Sequence, residues 1–186
     1  VTMFKEVEAK LLTALTFKDE AKNHLIAYRD QSEFVETYPL VGWHLSILTD
    51  AMKEISHRNG FTGQFLDIGA RSTLGIFQEV VRAISRKELG QLVSMDSMFD
   101  AIADMIKVPY KQSVDEVDSG PSSVMEKRLI RVLLLVKHVN SFKPTADNLA
   151  ALLMTSVHES EKTLVSEVEI GLRSLTQGLY VEKRGD

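Results

Sequence analysis

Along most of the chain, apolar side chains recur at three- and four-residue steps, the spacing that turns one face of an α-helix away from water. Val7, Leu11, Leu12 and Leu15 follow it, as do Leu25, Ile26 and Tyr28 after a charged turn, which predicts two helices in the first thirty residues or one broken near 17–19. Tyr38-Pro39 marks a boundary, because the residue before a proline is pushed out of the helical region. A helix over 42–57 follows, with Trp43, Leu45, Ile47, Leu48, Met52 and Ile55 as its apolar faces. Asn59-Gly60 reads as a helix C-cap or turn. The next helix opens around Gly69-Ala70-Arg71, carries Leu74, Ile76, Phe77, Val80, Val81 and Ile84, and ends in Arg82, Arg86 and Lys87, where cations complement the helix dipole. A short helix over 95–106, capped by Ser94 or Asp96, bears Met98, Phe99, Ile102 and Met105 and stops before Val108-Pro109.

The stretch 111–123 is polar and contains Gly120 and Pro121, so it reads as the domain boundary, or at least as the most exposed and mobile connection. Beyond it the pattern predicts helices over 124–139, 146–154 and 164–178, with Thr145 capping the second and Gly178 ending the third in a left-handed C-cap. Leu179 and Val181 then alternate with Tyr180 and Glu182 ahead of Arg184-Gly185-Asp186, as in a strand entering a hairpin turn. Three helices followed by a hairpin is the winged-helix order, whose third helix meets the major groove in DNA-binding members. A hairpin needs its return strand, so the natural protein is expected to continue past the wing. The expected fold is mostly α, with a helical bundle over 1–118 and a winged-helix-like domain over 119–186 truncated in the wing.

Composition narrows the chemistry. With 44 % apolar and 26 % charged residues in 186, the chain can bury a real core. It has no cysteine, hence no disulfide framework, thiolate metal site or cysteine nucleophile. The first eight residues alternate charged and apolar groups, unlike a signal peptide, and apolar runs such as 132–136 are far too short to span a bilayer. A cytoplasmic location with no membrane contact is expected. A net charge of −4 and a pI near 5.8 give no global attraction to nucleic acid, which favours a protein partner and leaves DNA to a local patch.

None of the histidines His24, His44, His57, His138 and His158 has another at helical ligand spacing, so no metal site is expected. Glu159, Glu161, Glu167 and Glu169 read as a solvated face rather than as paired catalytic carboxylates. Gly60, Gly63, Gly69 and Gly75 lie close together without the Lys-Ser or Lys-Thr of a phosphate-binding loop, so the chain is not expected to hold a triphosphate or act as an enzyme alone. No catalytic residue and no cofactor are assigned to it. Lys162 and Arg173, in or near the third helix of the winged-helix unit, and Lys183 and Arg184 on the wing are candidates for phosphate contacts, opposed by the glutamates just named. Weak, sequence-independent DNA binding and protein packing are the rival uses of that unit. Arg71 starts a helix, where a cation needs an anionic partner to offset the dipole: a nucleotide phosphate or a carboxylate.

The runs Tyr38-Pro39-Leu40-Val41-Gly42-Trp43-His44-Leu45, Gly63-Gln64-Phe65-Leu66 and Gly69-Ala70-Arg71-Ser72-Thr73-Leu74-Gly75-Ile76-Phe77-Gln78-Glu79 resemble the region downstream of the P-loop in the large BREX phage-defence ATPases, the BrxC (also PglY) family. The resemblance resumes over 130–152 and covers about two thirds of the chain. Its specific part is Arg-Ser-x-Leu-x-x-Phe-Gln-Glu; Gly42-Trp43-His44 stands where that family has Pro-Tyr-Gln, and Ala70 where it has Glu. Such proteins resemble AAA+ ATPases in which a helical lid and a winged helix follow the nucleotide-binding core, and in which an arginine like Arg71 approaches the phosphates. The resemblance implies a non-catalytic lid-like domain over 1–118 plus winged helix over 119–186, serving inter-domain, oligomer or DNA contacts. ATP and Mg would belong to the parent protein, and the partners would be the rest of that ATPase with other defence-system proteins or further copies. The alternative is an independent winged-helix DNA-binding transcriptional regulator, with 1–118 as its dimerisation or effector domain.

Overall fold

The computed structural model describes residues 8–9, 11–18, 25–62 and 70–182, the side chains of 70–72 excepted. It is mostly helical, and among the described residues the extended pairings are two isolated antiparallel bridges, Phe61 with Ile106 and Gln91 with Ser156.

Helix α1 (Gln31–Thr37) opens where the Asp30 carboxylate accepts the backbone N–H of Glu33. Helix α2 (Trp43–His57) buries Trp43, His44, Ile47, Leu48, Ala51, Met52 and Ile55. Its cap, Gly42, donates its N–H to Ala27 O at 2.8 Å, and a Cβ there would lie 2.7 Å from the same oxygen, so only glycine fits this close approach. At the far end Asn59 N–H reaches Ser56 O and Gly60 N–H reaches Ile55 O, a Schellman closure. Asn59 takes the left-handed conformation (φ 55°), while Gly60 leaves room for the Tyr110 ring and the Ile55 methyl.

Helix α3 (Ala70–Ile84) turns Thr73, Ile76 and Val80 inward and packs on α4 (Met95–Ile102). The α-helix expected to reach residue 106 instead tightens into a 3-10 turn over Ala103–Met105. Ser94 caps α4 without a side-chain hydrogen bond, and Asp96 is drawn into an ion pair.

The polar stretch expected as a mobile connection is a helix, α5 (Val108–Ser119). Pro109 sits in its first turn, where the missing N–H costs no helical bond. Val114 and Val117 are buried, Lys111 pairs with Asp115 one turn on, and α5 packs against the next helix. Two inward apolar residues suffice because that neighbour supplies the opposing surface. The true connection is Gly120 to Ser123, whose hydroxyl accepts Glu126 N–H while the Glu126 carboxylate accepts Ser123 N–H.

Helices α6 (Val124–Val136), α7 (Ala146–Leu153) and α8 (Glu161–Gln177) pack on one another, and α6 also meets α2, α4 and α5. Thr145 caps α7 by accepting Asn148 N–H at 3.3 Å. At Gly171 a Cβ would lie 2.6 Å from Leu129 Cδ1, so α8 comes close to α6 here. The end of α8 departs from expectation. Gly178 is right-handed (φ −74°) and the left-handed residue is Leu179 (φ 62°), closed by Leu179 N–H to Thr176 O and Tyr180 N–H to Leu175 O. Gly178 is instead the point where a Cβ would meet the Tyr180 ring, at 2.9 Å. Residues 179–182, expected as a strand, form a turn and irregular chain. The hairpin turn at 184–186 lies outside the described residues.

Candidate functional site

Of the residues proposed for nucleic-acid contact, Lys162 and Arg173 are exposed on α8, whereas Lys183 and Arg184 lie outside the described residues. Leu164, Val168, Gly171 and Leu175 line the buried side of α8, so at 100° per residue Lys162 and Arg173 fall on the opposite side. Eleven residues separate them, about 16 Å along the axis, too far to share one phosphate. Glu169 lies between them on the same side, with Glu167 also exposed, and α8 carries three acids (Glu161, Glu167, Glu169) against two cations. Arg71 has its backbone in the first turn of α3, and its side chain is outside the described set.

Carboxylates stand in the first turns of both α7 (Asp147) and α8 (Glu161). The Lys18 ammonium donates to Asp147 and, at 3.4 Å, to Glu161, and its pKa is raised chiefly by the hydrogen bond to Asp147. The backbone N–H of Lys18 donates to Asn148 Oδ1 at 2.8 Å, while Asn148 Nδ2 donates to Lys143 O. Next to it the Phe17 ring lies 5.2 Å from Trp43 and 5.1 Å from Phe142. These helix ends therefore receive a cation from the chain's own amino-terminal part. Sequence reasoning missed this latch because Lys18 and Asp147 are 129 positions apart.

A second polar cluster joins α4, α5, α6 and α7. Arg128 donates to both carboxylate oxygens of Asp96, at 2.9 and 3.1 Å, and to the carbonyl of Leu153 at the end of α7. One turn on, Arg131 pairs with Asp118 at 2.9 Å and with Asp100 at 3.5 Å. Burial raises the Asp100 pKa, and the Arg131 charge opposes that rise. Asp96 and Asp118 are each engaged by a guanidinium group through two hydrogen bonds, an arrangement that suits a clamp between helices. Asp96 was legible as a cap candidate, but its partner on α6 was not.

His44 is buried in the core. Its Nδ1 accepts Val41 N–H at 2.8 Å and its Nε2 has no hydrogen-bond partner, an arrangement that requires the neutral ring with its proton on Nε2. Burial pushes its pKa down to about 3. Among the described residues no group of three or more His, Asp or Glu is placed to hold a metal ion, and no helix is long and apolar enough to cross a membrane. No known protein family and no solved structure matches this chain.

Proposed function

We propose that this chain is a non-catalytic helical lid plus winged-helix module of a large BREX-type, AAA+-like ATPase in anti-phage defence. In this reading ATP and Mg are held by the parent protein, and the module makes contacts with the nucleotide-binding core or with neighbouring protomers. The observation that carries it is the stretch from Ala70 to Glu79, in which the Arg-Ser-x-Leu-x-x-Phe-Gln-Glu residues share one continuous helix with the arginine in its first turn. The mutual packing of α6, α7 and α8 is consistent with the helical part of a winged helix. Protein docking is the preferred use of α8, because its outer acids and the carboxylates gathered at Lys18 oppose a phosphate backbone. The rival reading, an independent DNA-binding regulator, draws on the exposed Lys162 and Arg173.

The test has two arms. The genomic reading frame that encodes these residues should hold a Gly-x4-Gly-Lys-Ser/Thr loop upstream, and the purified chain alone should show no saturable binding of a fluorescent ATP analogue. A frame without such a loop would sink the proposal, as would ATP turnover by the isolated chain that depends on Arg71.

A further inference from the structure

We draw no further inference here: the strongest candidate, the outward stripe of α3 formed by Leu74, Gly75 and Gln78, is an unpartnered helix face, and nothing in the structure shows what covers it.

Discussion

Lowering the pH should weaken the fold through His44. In the unfolded chain this histidine takes up a proton near pH 6.5, whereas in the folded chain burial holds it neutral down to about pH 3. Between those values the unfolded state binds more protons, so stability falls as pH drops through that window and is level above it. From pH 7 to pH 5 the linkage amounts to about 2 kcal/mol, since each unit below the unfolded pKa adds at most about 1.4 kcal/mol. In urea that corresponds to a midpoint lower by about 1 M, taking a slope of about 2 kcal/mol per molar. Far-UV circular dichroism during urea titration at the two pH values measures it. His44→Asn is the control, because its side-chain oxygen can still accept Val41 N–H while the titrating ring is gone. The variant should start less stable yet lose about 2 kcal/mol less between pH 7 and pH 5. His138, also lowered by burial, adds to the pH dependence in both proteins and cancels in the comparison. An equal fall in both proteins would refute the argument.

Three further outcomes are expected. Asp96→Ala leaves the Arg128 guanidinium mostly buried without its carboxylate and should cost about 3 kcal/mol in urea unfolding, whereas the double variant Asp96→Leu/Arg128→Met should cost less; a single-variant loss under about 1 kcal/mol would count against the clamp. Leu179→Gly should raise stability by about 0.5–1 kcal/mol, since Leu179 is left-handed and 91 % exposed, and an unchanged or lower melting temperature would contradict that. Fluorescence anisotropy with labelled duplex across a salt series should show at most weak, sequence-independent binding. If α8 carries it, replacing Lys162 and Arg173 together should flatten the salt slope by about 1.8, and no binding at low salt would leave protein docking as the use of α8.

The sequence alone determined the helices whose apolar residues repeat at helical spacing. The expected helix over 42–57 is α2, the one opening at Ala70 is α3, and those over 146–154 and 164–178 are α7 and α8 to within a few residues. Thr145 was legible as a cap because its acceptor serves a backbone N–H three residues away. Helix α5 was not legible, since a polar stretch with two inward valines becomes helical only against the surface that α6 provides. Nor were the partners of charged groups: Asp96 finds Arg128 32 positions away, and Lys18 finds Asp147 across nearly the whole chain. Asn59-Gly60 was legible as the end of α2, with Asn59 left-handed, but at the end of α8 Leu179 rather than the expected Gly178 took the left-handed turn, and Gly60 and Gly178 made room for the rings of Tyr110 and Tyr180. Periodicity and capping act within a turn of chain and are written in order along it. Ion pairing and close packing depend on which surfaces meet, and folding sets that through contacts distant in sequence.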